Sequence, residues 1–229
     1  MNASERHFAA AQTRLPLERV PDFGRDSFIV SPGNAEAFAA IDAWPRWPGG
    51  TLVLVGPAHS GKSHLAAIWA KAAGAAVFGP LDHTLPSDHA PIALEDADRR
   101  AADEAMFHLM NVADLGASVL MTARRPPREW TSTLPDMRSR LNAIHVVELA
   151  TPDDAVLSGL LNKFFRERNI RPEADVIPYL VRRIERSSAA AFDAVAHIDE
   201  ASDAERRGVT RAFARDVLDR LRSAHDLFD

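Results

Sequence analysis

The chain has 229 residues, a length that accommodates one domain or two small ones. Hydrophobic residues make up 46% of it, enough for a sizeable buried core. The net charge of −5 argues against a broad nucleic-acid-binding face, and the absence of cysteine excludes disulfides, thiolate metal sites and a cysteine nucleophile. No apolar run reaches the roughly 20 residues that span a bilayer, and the N-terminus lacks a secretory signal. We therefore expect a cytoplasmic protein without a membrane segment.

The N-terminal residues 1–20 are polar and alanine-containing, which predicts a flexible tail. A short apolar run follows at residues 28–30, and the Ser-Pro-Gly-Asn of residues 31–34 predicts the start of a helix. Pro45 and the Pro-Gly-Gly of residues 48–50 end that helix. The first predicted strand therefore begins directly after this break.

Residues 51–64, TLVLVGPAHSGKSH, join an apolar β-type run to a phosphate-binding motif and the start of a helix. The pattern G-x-x-x-x-G-K-[ST] is the P-loop, in which a strand enters and a helix leaves so that backbone N–H groups converge on a phosphate. Its glycines let the backbone approach the phosphates, and Lys62 carries a charge to the β- and γ-oxygens. Ser63 offers a hydroxyl to Mg²⁺. The motif predicts a nucleotide site formed by Gly56, Pro57, Ala58, His59, Ser60, Gly61, Lys62, Ser63 and His64.

Strands and helices alternate from the P-loop as far as residue 149. Predicted strands occupy residues 51–55, 75–78, 91–96, 117–122 and 144–149, and predicted helices occupy residues 63–73, 101–114 and 137–141. Such alternation implies a parallel sheet covered by helices on both faces. The predicted fold class is therefore α/β.

Residues 92–96, Ile-Ala-Leu-Glu-Asp, have the form of a Walker B element, in which a buried strand ends in acids. Acids at the carboxyl end of such a strand meet Mg²⁺ and the attacking water. Glu95 and Asp96 are therefore candidate Mg²⁺ ligands together with Ser63, although the two acids could instead cap the next helix. Thr122 ends the next strand, where a polar residue can orient the γ-phosphate or the water. A threonine satisfied within its own strand is the alternative.

From residue 151 onward the sequence predicts only helices. Thr151 is a candidate N-cap, with Pro152 at the first helical position. Apolar residues at helical spacing follow, and further helices are predicted at residues 176–184, 189–198 and 211–221. We therefore expect a tail at residues 1–20, a nucleotide-binding α/β domain at residues 21–150 and a small all-helical lid domain at residues 151–229.

The order of these elements resembles the AAA+ module of the bacterial replication initiator DnaA and of the regulators related to it. The resemblance is carried by GPAHSGKS, ALEDAD, SVLMTARRPP, RSRL and the all-helical end, and it extends from Gln12 to the last helix. TARRPPREW followed by DMRSRL is similar to the segment between sensor 1 and the arginine finger. The resemblance implies an AAA+ P-loop NTPase core with a parallel sheet, followed by the helical lid. DnaA continues into a DNA-binding domain without a counterpart here, so no direct sequence-specific DNA binding is expected.

The resemblance also implies a function in the control of replication initiation. Regulators of this kind bind ADP or ATP, dock on the DNA-loaded sliding clamp of DNA polymerase and make DnaA hydrolyse its ATP. Residues 12–17, QTRLPL, resemble a clamp-binding hexapeptide, whose extended chain inserts apolar side chains into a groove. Arg140 matches the arginine finger, offered in trans to ATP held by DnaA, although Arg138 and Arg140 could instead be two solvated surface arginines. By the same resemblance Gln12, Leu15 and Leu17 contact the clamp, and Phe28, Ile29 and Val30 lie near the adenine.

Three departures from the DnaA pattern bear on the activity. The acidic pair is Glu95-Asp96 where DnaA has two aspartates, and Thr13 follows the clamp-motif glutamine where an apolar residue is usual. The sensor 2 arginine of DnaA falls on an alanine within residues 188–192, Ser-Ala-Ala-Ala-Phe. Arg186 is close to that place but is predicted to lie at the end of the preceding helix. A missing sensor 2 predicts weak or no intrinsic ATPase activity.

Several functions are compatible with these patterns. A regulatory AAA+ protein that acts on DnaA at the clamp uses the largest number of motifs. A self-acting ATPase such as a helicase loader would need a sensor 2, and a small-molecule P-loop kinase would need an acceptor-binding lid. A binding-only adaptor with structural ADP differs from the regulator only in whether Arg140 acts. A homo-oligomer is compatible with the regulator as well.

Overall fold

The structure, a computed structural model, describes residues 23–80, 90–99, 103–132 and 134–225. The predicted clamp-binding residues Gln12, Leu15 and Leu17 lie outside the described residues, so the tail and its motif stay predictions. No helix within the described ranges is long and apolar enough to cross a membrane.

The chain first alternates strands with helices and then continues in helices alone. The strands are β1 Thr51–Val55, β2 Ala76–Phe78, β3 Ile92–Leu94, β4 Val119–Ala123 and β5 His145–Glu148. The α-helices are α1 Ala35–Asp42, α2 Lys62–Ala73, α3 Asp103–Asp114, α4 Pro135–Ala143, α5 Asp154–Glu167, α6 Val176–Val181, α7 Ser188–Glu205 and α8 Arg211–His225. Short 3-10 turns lie at Arg25–Ser27, Pro48–Gly50, Ala97–Arg99 and Pro127–Glu129. This order agrees with the sequence prediction, although several bounds differ.

The five strands form one parallel sheet in the order β2-β3-β4-β1-β5. Strand β1 lies between β4 and β5, and all of its residues are buried. Val53 and Val55 pack into a core with α3 and α4, whereas Leu52 and Leu54 pack into a core with α1 and α2. Alternate side chains of a strand point to opposite faces, so both faces of the sheet are covered. The predicted α/β fold with a parallel sheet is confirmed.

Helices α5 to α8 pack around a core of their own, which includes Leu157, Leu161, Phe165, Leu180, Val195 and Phe213. Helix α5 begins at Asp154, so the predicted N-cap at Thr151, with Pro152 as the first helical residue, is wrong. Asp153 caps the helix instead, and its carboxylate accepts a hydrogen bond from the backbone N–H of Val156 at 2.8 Å. A carboxylate at this position also faces the positive end of the helix dipole.

A turn separates α6 from α7 where the sequence predicted helix through residue 184. Helix α6 ends at Val181, and Ser187 caps the next helix by accepting a hydrogen bond from the N–H of Ala190 at 3.0 Å. Arg186 therefore lies in this turn, directly ahead of α7, and not at the end of the preceding helix as predicted.

Candidate functional site

The carboxyl ends of β1, β3 and β4 bring the predicted motif residues to one edge of the sheet. Residues 56–61 form the loop between β1 and α2, and the N–H of Gly56 donates to the carbonyl of Ala123, the last residue of β4, at 3.2 Å. A Cβ on Gly56 would lie 2.4 Å from the carbonyl oxygen of Leu149, and Gly61 has a φ of 101°. Only glycine adopts these two positions without strain. The glycines of the motif therefore let the loop fold tightly onto the sheet edge.

The tip of the loop is exposed and its base is buried. Pro57, Ala58 and His59 face outward, while Ser60 is buried beneath them. His59 has a φ of 61°, in the left-handed region that non-glycine residues seldom adopt. No hydrogen bond fixes the His59 side chain within the described part of the chain, and its place at the nucleotide stays a prediction.

The ammonium group of Lys62 lies inside the loop. It donates to the carbonyls of Gly56 at 2.9 Å and Pro57 at 2.6 Å, with the hydroxyl oxygen of Ser60 at 3.5 Å. Burial lowers the pKa of Lys62, while the negative charge of nearby Asp96 acts in the opposite sense. The ammonium is thus surrounded by oxygen atoms of the loop itself.

One carboxylate oxygen connects three of the predicted site residues. Oε2 of Glu95 accepts hydrogen bonds from the hydroxyl of Ser63 at 3.0 Å and from the hydroxyl of Thr122 at 2.6 Å. The Thr122 oxygen in turn accepts a hydrogen bond from the backbone N–H of Asp96 at 3.0 Å. Thr122 is therefore not merely satisfied within its strand, because its hydroxyl joins β4 to the end of β3.

The oxygen atoms of Ser63 and Glu95 fit Mg²⁺, which proteins hold through one or two carboxylates while phosphates and waters complete the coordination. Within the described residues, no group of three or more His, Cys, Asp or Glu side chains could hold a metal by itself. The carboxylate of Asp96 lies 3.5 Å from the guanidinium of Arg99, and Asp96 itself has a φ of 48°. Glu95 thus hydrogen-bonds to the P-loop residue Ser63, whereas Asp96 acts on Lys62 through its charge.

His64, in the first turn of α2, contacts residues 23–28, which precede α1. Its Nε2 hydrogen-bonds with the carbonyl of Gly24 at 3.0 Å. Its ring meets the rings of Phe23 and Phe28 edge-on, with centroids 5.5 Å and 5.1 Å apart. Phe28 also stacks on Phe38 at 5.5 Å. His64 and Phe28, both predicted to lie at the nucleotide, are therefore in contact with each other.

Ile29 and Val30 continue this segment in different environments. Ile29 packs against α5 at Gly159, where a Cβ would lie 2.9 Å from the Cδ1 of Ile29, whereas Val30 is exposed. Asn34 fixes the segment, since its amide donates to the carbonyl of Ile29 at 2.9 Å and accepts from the N–H of Ser31 at 2.8 Å. The predicted adenine-facing segment thus lies between the P-loop helix and α5.

Asp98 belongs to this edge of the sheet and was not singled out from the sequence. Its Oδ2 accepts hydrogen bonds from the backbone N–H groups of Arg124 at 3.2 Å and Arg125 at 3.3 Å. Asp98 thereby fixes the loop that follows β4. The signal in the sequence was a third acid after the Walker B strand, in Glu-Asp-Ala-Asp.

Arg140 lies in the last turn of α4 and is held from several sides. Its Nη1 donates to Oδ1 of Asn111 at 2.9 Å and lies 3.3 Å from the carboxylate of Asp114. Its Nε lies 3.3 Å from the carboxylate of Asp136, and its guanidinium stands 5.3 Å from the ring centroid of Phe107. In the described part of the chain, these polar contacts are all with α3 and α4, not with the P-loop.

No protein-family model matches the chain. Among solved structures, domain III of the replication initiation protein DnaA from Thermotoga maritima matches with a TM-score of 0.73 and 17% identity, over 87% of this chain and 97% of that domain. DnaA from Aquifex aeolicus bound to AMPPCP matches with a TM-score of 0.63 and 17% identity, over 80% of this chain and 66% of the other. The Holliday junction branch migration motor RuvB from Thermotoga maritima matches with a TM-score of 0.68 and 14% identity, over 86% and 72%.

Sequence identities this low reveal a shared fold and nothing finer. The similarity nevertheless extends over most of the chain, since the DnaA domain III match covers 87% of it. The chain has the AAA+ fold that is shared by domain III of DnaA and by RuvB.

Proposed function

We propose that this chain is a nucleotide-binding AAA+ regulator of the replication initiator DnaA, of the kind known as Hda. It binds ADP or ATP, docks on the DNA-loaded sliding clamp and stimulates hydrolysis of the ATP bound to DnaA, which prevents re-initiation. The observation that carries the nucleotide site is the convergence of Lys62, Ser63, Glu95 and Thr122 at one edge of a DnaA-like sheet.

The phosphates of the nucleotide would lie over the N-terminus of α2, where the N–H groups of the loop and the helix dipole favour negative charge. Lys62 would exchange its carbonyl partners for the β- and γ-oxygens. Ser63 and Glu95 would hold Mg²⁺, which neutralises charge on the phosphates when bound. Asp96 and Thr122 are the candidates for orienting a water, because their hydrogen bond places both beside Glu95.

Weak hydrolysis by the chain itself is supported by the start of α7. Alanines occupy positions 189–191, where the sensor 2 arginine is expected by resemblance. Arg186, just ahead of that helix, donates to the carbonyl of Pro152 at 3.2 Å and to the carboxylate of Asp154 at 2.6 Å. These contacts hold its guanidinium at the start of α5. Residues 188–192, where sensor 2 is expected by resemblance, carry no cation themselves.

Action on a partner's ATP is supported by Arg140. Its side chain is 32% exposed while Asn111, Asp114 and Asp136 restrain it, so the guanidinium is fixed in place and reachable from outside. A trans arginine finger stabilises the charge that develops on the transferred phosphoryl group and is worth about 10³-fold or more in rate. A finger ordered before docking loses less conformational entropy on binding.

The division into an α/β domain at residues 21–150 and a helical lid at residues 151–229 is part of this proposal. It is supported by the separate hydrophobic cores, since the two cores on the sheet end at Leu149 and the third begins at Leu157. The contact between Ile29 and Gly159 would then link the two domains.

The proposal is tested by single-turnover hydrolysis of ATP bound to DnaA, with DNA-loaded clamp, in the presence and absence of this chain. We expect the wild-type chain to accelerate hydrolysis and Arg140→Ala to lose that acceleration while it keeps ADP and clamp binding. Arg138→Ala is the matched control, because Arg138 lies on the same helix, is exposed and points to a different face.

Other outcomes identify the other functions. Full acceleration by Arg140→Ala would leave an adaptor with structural ADP. Rapid ATP hydrolysis by this chain alone would indicate a self-acting ATPase such as a helicase loader. No acceleration by the wild-type chain would contradict the regulatory function itself.

A further inference from the structure

Asp98 is a partly buried acid beside the nucleotide site that the proposed function does not use. It lies in the 3-10 turn Ala97–Arg99, which follows β3. Its Oδ2 accepts the backbone N–H groups of Arg124 at 3.2 Å and Arg125 at 3.3 Å. Its Oδ1 is buried and has no hydrogen-bond partner among the described residues, which costs free energy. Asp98 thus holds the two N–H groups in spite of that cost.

The segment that begins at these N–H groups is a closed turn. Nε1 of Trp130 donates to the carbonyl of Arg125 at 2.7 Å, and the backbone N–H of Trp130 donates to the carbonyl of Pro127 at 3.0 Å. Two consecutive prolines follow Arg125 and fix their own backbone φ angles. Residues 125–130 therefore form one compact unit, and Asp98 joins the start of this unit to the turn after β3.

The same unit packs against helix α4, which carries Arg140. The 3-10 turn Pro127–Glu129 contacts α4, and the ring of Trp130 packs against the core that includes Met137 and Leu141 of that helix. The N-cap position of α4 is a leucine, whose side chain cannot accept a hydrogen bond. The start of α4 is therefore set by the turn ahead of it, while its end is held through Arg140 by α3.

We propose that Asp98 is a positioning residue for Arg140 and that it acts through residues 125–130 and helix α4. The inference rests on the proposed function, in which Arg140 reaches ATP held by a partner. Hydrogen bonds to a carboxylate are stronger than those to a neutral acceptor, so Asp98 sets where the turn begins and thereby where α4 begins. Misplacement of a catalytic group by about 1 Å costs about 10²-fold in rate. Asp98 therefore governs the rate within the docked complex and not the docking itself.

Single-turnover hydrolysis of DnaA-bound ATP, with DNA-loaded clamp and increasing concentrations of this chain, tests the assignment. Each titration gives a maximal rate and a half-saturating concentration. We expect Asp98→Ala to lower the maximal rate by about tenfold and to keep the half-saturating concentration and the ADP affinity within about threefold of the wild-type values. A merely structural role would instead reduce the fraction of the chain that binds ADP and raise the half-saturating concentration.

Two further variants make the comparison specific. Asp98→Asn keeps one oxygen atom for both N–H groups but loses the charge, so its maximal rate should lie between those of the wild-type chain and Asp98→Ala. Glu129→Gln is the matched control, because Glu129 is an exposed acid of the same segment whose ion pair is with its neighbour Arg128. We expect Glu129→Gln to stimulate hydrolysis as the wild-type chain does.

Amide hydrogen exchange, followed by NMR, reports on the same contacts without DnaA. In Asp98→Ala we expect the N–H groups of Arg124 and Arg125 to exchange about tenfold faster or more, as a charge-assisted hydrogen bond is lost. The N–H of Arg138, which closes the first turn of α4 on the carbonyl of Leu134 at 3.1 Å, should exchange faster as well.

Several results would overturn the assignment. These are an unchanged maximal rate in Asp98→Ala, an equal loss in Glu129→Gln, a rise in the half-saturating concentration alone, and faster exchange that does not reach α4. A wild-type chain that does not accelerate hydrolysis would contradict the proposed function, while the exchange of α4 would still decide whether Asp98 positions that helix.

Discussion

The hydroxyl of Thr122 donates a hydrogen bond of 2.6 Å to Oε2 of Glu95, the same oxygen that accepts the hydroxyl of Ser63. Residues from β4, from the end of β3 and from the P-loop therefore share one oxygen atom. Strand pairing brings β3 and β4 side by side, so this contact links two neighbouring strands at the point where a nucleotide would bind.

The first prediction concerns this contact. Thr122→Val keeps the shape of the side chain but leaves the N–H of Asp96 without its acceptor and Glu95 with one donor fewer. We expect the free energy of unfolding to fall by about 1–2 kcal/mol, as for a half-buried donor left unpaired. Urea denaturation measures the change. Thr122→Ser restores both hydrogen bonds and serves as the control, and equal stability of the two variants would refute the explanation.

The second prediction concerns nucleotide affinity. Lys62→Ala removes the cation that the loop holds for the phosphates, and we expect ADP affinity to fall by at least about tenfold. Calorimetry with ADP measures the loss. Lys71→Ala changes an exposed lysine at the other end of the same helix and should bind as the wild-type chain does. Unchanged ADP affinity in Lys62→Ala would contradict the proposed nucleotide site.

Lys62 also predicts a dependence of stability on pH. Burial lowers its pKa in the folded protein below the ordinary 10.5 of the unfolded chain. Between these two values the unfolded state binds more protons, so the free energy of unfolding rises with pH there, and below both values the penalty of burying the charge is fully present. We expect Lys62→Met to lack this rise when both proteins are denatured with urea at increasing alkaline pH. Parallel pH profiles would contradict the prediction.

The fourth prediction concerns the residues that hold Arg140. Asn111→Ala removes the acceptor 2.9 Å from its Nη1 but leaves Asp114 and Asp136 in place. We expect stimulation of DnaA-bound ATP hydrolysis to fall partly, less than in Arg140→Ala, with ADP binding unchanged. The control is His108→Ala, an exposed position on the same helix. If Asn111→Ala stimulates fully, the contact does not position the finger.

The fifth prediction concerns the tail, whose structure is not described. Combined replacement of Gln12, Leu15 and Leu17 by alanine should abolish pull-down with the sliding clamp and leave nucleotide binding intact. Two leucines supply a large part of the apolar area that so short a motif can bury, about 1.5–3 kcal/mol each. Arg14→Ala, inside the same motif, is the control. Equal clamp binding by a chain that lacks residues 1–20 would show the motif to be wrong.

The parts of the fold that were predicted correctly depend on local signals. The five residues of β1, four of them apolar, are typical of a buried strand, and the P-loop pattern predicts the strand before it and the helix after it. Contacts between distant segments were not predicted. Asn111 and Arg140 are 29 residues apart, and nothing in either segment indicates that they meet.

The same holds for Asp98 and Arg124, which are 26 residues apart and meet because β3 pairs with β4. The errors at Thr151 and Arg186 have a different cause. In both places several residues were able to start or end a helix. The helix begins after the residue whose side chain accepts a hydrogen bond from a free N–H group of the first turn. Asp153 does so for α5 and Ser187 for α7.

The contact of Ile29 with Gly159 gives the molecule a mechanical linkage. Gly24, which precedes Ile29 in the chain, hydrogen-bonds through its carbonyl to His64 in the first turn of α2. Asn34, which follows Ile29 and precedes α1, donates to the carbonyl of Ile29. Ile29 itself lies against α5 at Gly159. The helical end and the P-loop helix therefore contact the same short segment of backbone, residues 24–34.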